Sequence, residues 1–260
     1  MKSGSLTIVG TGIQVGAQTT QEAIAHIRRA DRLLYLVADE LAQEWLRSLN
    51  PRAESLFDCY AEGRPRTESY RIMVERLLAP LRQGQNVCAA FYGHPGIFVH
   101  PSHAAIRRAR EEGFRAVMLP AVSAEDCLFA DLGVDPGRTG CQSFEATDFL
   151  LCRRLFDPTS YLVLWQVGCI GDLTFRHQGY SRRGLEVLTG VLLRSYPPNH
   201  PLTIYQAAVY QVCKAVAEPC PLSDLPRGPV SAVSTLVVPP LPGRRVDPEM
   251  LHELGMDLAV

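Results

Sequence analysis

Apolar and polar positions follow a repeating order along the first half of the chain. Short apolar runs at 5–9, 32–37, 86–91 and 115–119 predict buried strands. Between and after them, one-sided apolar spacing predicts helices at 19–30, 40–49, 66–82, 102–112 and 123–131. Ala23, Ile24 and Ile27, for example, share a face of the first. Strands alternating with helices argue for an α/β fold with a mostly parallel sheet. The second half reads differently. Strands are expected at 161–167, 201–207, 209–216 and 233–238, with one long helix, 184–196, among them. Fewer helices per strand predict a mixed sheet in a second subdomain. A boundary within 144–158 gives an N-terminal subdomain 1–145, a C-terminal subdomain 146–240 and a tail 241–260. That tail is weakly helical at 248–254, and no internal repeat or low-complexity segment breaks the chain.

Composition narrows the function classes. A chain of 260 residues, 47% hydrophobic and 20% charged, can bury a substantial core. Its net charge of −1 exerts no global pull towards nucleic acid or membrane. The local basic groups Arg107, Arg108 and Arg110, Arg153 and Arg154, and Arg182 and Arg183 adjoin apolar residues at helical spacing. They are expected to be solvated helix faces. No apolar run approaches the roughly 20 residues of a membrane span. The N-terminus runs straight into a strand, without the apolar stretch of a signal peptide. Eight scattered cysteines form no CxxC pair and no Cys/His metal spacing. Cys88, Cys127 and Cys169 lie in apolar stretches, as reduced cysteines of a cytoplasmic protein would, and no metal is expected.

Candidate chemistry begins at two strand ends. Gly10-Thr11-Gly12 follows the first strand, but a dinucleotide fingerprint would need a third glycine one residue before Gly16. A tight turn explains this loop as well as a ligand does. Tyr92-Gly93-His94-Pro95-Gly96 is more informative: its glycines let backbone approach a ligand and its proline stiffens the loop. Ligands of open α/β sheets bind at the carboxyl ends of strands, so two such loops predict a cofactor crevice. Ser123 is placed as a helix cap, and Glu125 and Asp126 as acids favoured at a helix start. Periodicity alone makes Tyr70 a core residue with Met73, Val74 and Leu77, and Arg66 a surface ion-pairing residue. His94 reads as a loop-ordering hydrogen bonder; His26, His103 and His252 carry no motif.

The segments SLTIVGTG, GHPG and LPAVSAEDCLFADLG, in that order, are similar to tetrapyrrole methylases. FYGHPGIFVHPSH, MLPAVSAEDCLFADLGVDPG and LVLWQVGCIGD further resemble the methyltransferase domain of the borosin family, over about residues 4–240. The resemblance implies a class III S-adenosylmethionine (SAM) methyltransferase fold, with two α/β subdomains, a SAM cleft between them and a homodimer. It implies transfer of methyl groups to backbone amides of a ribosomal peptide, with S-adenosylhomocysteine as product. A Y-x5-R-x3-Y pattern falls on Tyr60, Arg66 and Tyr70. With Tyr92 these are the implied catalytic residues. The implied cofactor contacts are Gly10, Gly12, Tyr92, His94, Ile97, Phe98, Ser123, Ala124, Gln166, Ala207, Ser234 and Thr235. Fungal borosins continue into a clasp region and their own core peptide, whereas here only a short tail follows Pro240. That implies the bacterial split arrangement, with a separate precursor peptide methylated in trans, in a 2:2 assembly. The G-x-G-P-G opening of porphyrinogen methylases is broken by Ile13. A tetrapyrrole C-methyltransferase, a non-catalytic SAM- or peptide-binding module, and methylation of the chain's own tail at 255–260 are the alternatives.

A backbone amide is a poor nucleophile because its lone pair is delocalised into the carbonyl. Methylating it requires removing the amide proton and holding the nitrogen in line with the methyl donor. A tyrosinate could accept that proton, but free tyrosine titrates near about 10. A neighbouring arginine favours the phenolate and can also stabilise negative charge on the carbonyl oxygen. Arg66 is expected in that role, with Tyr70 as base and Tyr60 and Tyr92 orienting the amide.

Overall fold

In the first half, apolar strand residues collapse into a sheet of five parallel strands. These are β1 (Ser5–Gly10), β2 (Arg32–Leu36), β3 (Ala53–Ser55), β4 (Asn86–Phe91) and β5 (Arg115–Met118), in the order β3-β2-β4-β1-β5. The structure, a computed structural model, describes residues 3–37, 39–177, 179–243 and 246–256. Helices α1 (Gln21–Arg29), α2 (Glu40–Leu49), α3 (Arg66–Arg82), α4 (His100–Glu111) and α5 (Ala124–Leu132) connect or follow these strands. Successive strand residues point to opposite faces. Val87, Ala89 and Phe91 of β4 therefore pack with Met73, Leu77 and Ala105 of α3 and α4. Cys88 and Ala90 pack with Ala23, Ile27 and Leu46 of α1 and α2. The chain leaves β1 for β2 on one side and leaves β4 for β5 on the other. Strand order thus reverses between β1 and β4, the place where ligands of such sheets sit.

The second half adds α6 (Pro136–Thr139), β6 (Cys141–Glu145), α7 (Ala146–Leu151), β7 (Tyr161–Trp165), α8 (Arg183–Leu192), β8 (Pro201–Gln206), β9 (Val216–Pro221), β10 (Thr235–Val238) and α9 (Pro248–Glu253). Its sheet runs β6-β7-β10-β8-β9; β6 is parallel to β7 and β10 antiparallel to it, so the sheet is mixed, as expected. Leu162, Leu164, Leu185, Leu188, Ile204 and Leu236 are among the buried residues of its core. Contacts divide the chain into two units. One comprises Met1–Val134, Gly171–Tyr180 and Tyr205–Ala217; the other Asp135–Ile170, Ser181–Ile204 and Glu218–Val260. The expected boundary at 145/146 lies inside the second unit, and two later segments return to the first.

The strand expected at 209–216 is not there. Val212 is 95% exposed, a turn closes from the Cys213 N–H to the Tyr210 carbonyl at 3.0 Å, and the strand begins only at Val216. Apolar residues with no face to cover do not make a strand. The short β3 and the polar β6 carry too little periodicity to be seen in the sequence, and α7 is likewise too short to show there. Residues 257–260 of the tail lie outside the described residues. Among the described residues no helix is long and apolar enough to cross a membrane, and no group of three or more His, Cys, Asp or Glu could hold a metal. None of the eight cysteines is in a disulfide; Cys88 and Cys169 are buried and Cys127 half-buried.

The basic groups are not all plain solvated faces. Arg108 pairs with Glu75, Arg110 donates to the Ala116 carbonyl at 2.9 Å, and Arg182 donates to the Gly228 carbonyl at 2.7 Å. Arg153 and Arg154 follow α7 instead of riding on a helix.

Candidate active site

The loops after β1 and β4 meet. The Thr11 N–H donates to the Phe91 carbonyl at 2.9 Å, and Gly12 and Gly93 exchange backbone hydrogen bonds of 3.3 and 3.0 Å. A Cβ on Gly10 would lie 2.1 Å from the Gly93 carbonyl oxygen, so only glycine fits where the two strand ends close. Gly12 and Gly93 both have φ near +70°, which glycine alone adopts without strain. The sequence motif is therefore explained first as backbone closure at the switch point. His94 acts as the loop-ordering residue expected, its Nδ1 accepting from the Gly96 N–H at 3.0 Å. Nδ1 is thereby an acceptor, which leaves Nε2 to carry the ring proton in the neutral imidazole. Beyond it Ile97 and Phe98 are 39% and 47% exposed, with Phe98 held at φ 55°. Exposed apolar side chains beside polar loop backbone fit a cofactor that joins a heteroaromatic base to a sulfonium, as SAM does.

After β5, Ser123 caps α5 as expected. Its hydroxyl accepts from the Asp126 N–H at 3.2 Å and donates to the Asp126 carboxylate at 2.7 Å, which also accepts from the Ser123 N–H. Asp126 is structural, and Ala124 opens the helix. Asp39 caps α2 through the Ala42 N–H at 2.9 Å. Gln166 takes the left-handed conformation after β7, at φ 58°. Gly168, two residues on, faces the turn before β10: a Cβ there would lie 2.0 Å from the Ser231 carbonyl oxygen. In that turn Ser234 accepts from the Ser231 N–H at 2.9 Å and is fully buried, and Thr235 is 4% exposed. Gln166, Ser234 and Thr235 belong to the second unit, whereas Ala207 and the other implied contacts belong to the first.

Tyr60, Arg66 and Tyr70 come together in the first unit. Tyr60 follows a 3-10 turn at Phe57–Cys59, and Arg66 opens α3, which carries Tyr70 one turn on. The two tyrosine rings meet edge to face, centroids 6.4 Å apart, and Tyr70 stacks on His100 at 5.7 Å. Tyr70 also packs against the core, as its spacing implied. The grouping is completed by residues 171–180, which sequence reasoning left out. Arg66 donates its N–H to the Leu173 carbonyl at 2.9 Å, and Phe175 exchanges backbone hydrogen bonds with Gly63 and Arg64 at 2.8 and 3.0 Å. Phe175 stacks on Tyr60 at 4.7 Å. Tyr180 accepts from the Arg66 Nη2 at 3.0 Å, with the guanidinium carbon 5.7 Å from its ring centroid. Of this segment only Gly171 and Asp172 fell within a family-like run, LVLWQVGCIGD; Asp172 accepts from the Thr174 N–H at 2.9 Å.

The electrostatics separate the tyrosines. Burial pushes Tyr60 and Tyr70 above their ordinary value. Arg66 pulls both down, as expected, but burial is the stronger effect. The two hydroxyls influence each other, raising Tyr60 and lowering Tyr70, so Tyr70 is the better seat for negative charge. Tyr92 lies in a different group. Its N–H donates to the Leu36 carbonyl at 3.0 Å, burial raises its hydroxyl to about 12, and the acidic groups that add to that rise are Cys127 and Asp39.

Residues 5–212 match the family model for tetrapyrrole (corrin/porphyrin) methylases. A methyltransferase/ribosomally synthesized type III borosin cyclic peptide precursor of Anomoporia bombycina is 42% identical over 98% of this chain and 30% of its own. The methyltransferase/ribosomally synthesized cyclic peptide omphalotin A precursor of Omphalotus olearius is 40% identical over 98% of this chain and 62% of its own. The chain thus spans about a third to two-thirds of the length of the relatives it matches. The crystal structure of uroporphyrin-III-C-methyltransferase from Thermus thermophilus superposes with a TM-score of 0.65 at 20% identity, over 91% of this chain and 92% of that one, a likeness of fold. With the parallel sheet, the paired glycine loops and a family match over most of its length, the chain belongs to the tetrapyrrole (corrin/porphyrin) methylase family.

Proposed function

We propose that the protein is a SAM-dependent methyltransferase acting on backbone amides of a ribosomally made precursor peptide, and that it works as a homodimer. The observation that carries this reading is the meeting of Tyr60, Arg66 and Tyr70, held by the Tyr180 and Phe175 contacts. When bound, SAM supplies an activated methyl group. Tyr70, whose phenolate form Arg66 and the neighbouring Tyr60 favour, takes the amide proton onto its oxygen. The positive charge of Arg66 stabilises the amide oxygen as negative charge moves onto it. The loops carrying Gly10, Gly12, Tyr92, His94, Ile97, Phe98, Ser123 and Ala124 would hold the cofactor. Ala207, Gln166, Ser234 and Thr235 are proposed to complete that set. The relatives are by name methyltransferase and precursor in one, so the separate precursor expected from the sequence draws no support from them.

The test is intact mass spectrometry of a borosin-type precursor peptide co-expressed in trans with the protein. Mass gains in whole methyl steps, mapped to backbone nitrogens, are expected. Arg66→Ala and Tyr70→Phe should each lower transfer by about 100–1000-fold while calorimetry still shows SAM binding. Near-normal turnover in either variant removes that residue from the mechanism. An unmodified peptide beside SAM-bound protein, with methyl transfer to a porphyrinogen instead, overturns the peptide reading.

A further inference from the structure

In the second unit, a pocket of about 370 Å³ lies between the end of α7 and α8, lined by Phe149, Leu150, Arg153, Arg154, Val191 and Arg194. Its floor is apolar, because Phe149 is a core residue and Leu150 and Val191 pack against that core. Its rim carries three guanidinium groups. Arg154 is neutralised by Asp148 at 2.8 Å. Neither the Arg153 nor the Arg194 side chain has a hydrogen bond or ion pair with another described residue, so two charges face the pocket uncompensated. Arg153 is also held at φ 46°, a conformation that side-chain-bearing residues adopt at a cost and that glycine would take freely. Leu151 and Leu155, next in sequence to the lining residues Leu150 and Arg154, are 76% and 94% exposed. Charge alone would suit any anion. Two unpaired arginines over an apolar floor, with exposed leucines alongside, suit an anion that also brings apolar side chains.

We propose that this pocket docks an acidic, apolar peptide segment, whose carboxylates pair with Arg153 and Arg194 while its apolar side chains cover Leu150 and Val191. Arginine matches a carboxylate bidentately, which gives the contact direction as well as strength. The volume sits at the lower end of the roughly 300–1,000 Å³ of small-ligand sites, enough for a few side chains of an extended segment. The site shares no residue with the Tyr60–Arg66–Tyr70 group and stands whether or not that group methylates amides.

Fluorescence anisotropy of the whole protein tests it, with a labelled peptide of alternating Glu and Leu, its Gln–Leu counterpart, and inorganic phosphate as competitor. Saturable binding of the acidic peptide is expected, about tenfold or more tighter than the Gln–Leu peptide. Arg194→Glu and Arg153→Gly should each weaken it by about tenfold, whereas Arg107→Glu, on α4, should not. Arg153→Gly relieves the left-handed backbone, so its loss of binding cannot come from misfolding. No saturable binding, equal binding of the neutral peptide, or indifference to both variants overturns the proposal. Displacement by phosphate at the peptide's own concentration would show a simple anion site and would equally overturn it.

Discussion

Two tyrosines 6.4 Å apart by ring centroid share one arginine, yet only one of them is placed to be a base. Their mutual influence raises Tyr60 and lowers Tyr70, so of the two Tyr70 gives up its proton more readily. Burial still keeps Tyr70 above its ordinary value, so it is protonated at neutral pH. A base of that kind works through the small fraction present as phenolate, and the fraction grows as pH rises. The methyl-transfer rate should climb by about one decade per pH unit from neutral pH upward, levelling only above the ordinary tyrosine range. A profile that stays flat between pH 7 and 9 would exclude Tyr70 as a rate-determining base.

At the scale of elements, the strand ends matter more than the helices. β1 and β4 approach so closely past Gly10 that its hydrogen faces the Gly93 carbonyl. Gly10→Ala forces a backbone oxygen to move, since no flexible side chain can give way. The expected cost is about 1–3 kcal/mol, read as a lower urea midpoint together with weaker SAM binding. Gly190→Ala is the contrasting case. Gly190 lies inside α8 with nothing within 4 Å of where an alanine methyl would stand, so alanine there should stabilise by about 0.5–1 kcal/mol. If both variants behave alike, the closure at Gly10 is not what constrains the loops.

At the scale of the molecule, residues far apart in sequence decide what Arg66 can do. Residue 180 is 114 positions from residue 66, yet its hydroxyl fixes one guanidinium nitrogen. The homodimer proposed above predicts a light-scattering mass of twice the chain at working concentration. A monomer that still transfers methyl groups would remove the dimer from the proposal.

The order of strands and helices in the first half was legible because each buries one face, and burial on one face leaves a period in the sequence. The Ser123 cap and the tight turn at Gly10-Thr11-Gly12 were legible for a local reason: a cap and the left-handed Gly12 each demand a particular residue, whereas the closure of Gly10 on Gly93 was not. The Tyr60, Arg66 and Tyr70 spacing was visible only through the family likeness, since periodicity alone assigned Tyr70 to the core, where it also packs. Tertiary structure decided the rest. Residues 171–180 have no period because they are held by backbone bonds to 63–66 and by rings stacked on Tyr60, not by an apolar face of their own. The apolar run at 209–216 looked like a strand and is not one, because whether an apolar residue is buried depends on a neighbouring surface that its own sequence does not contain.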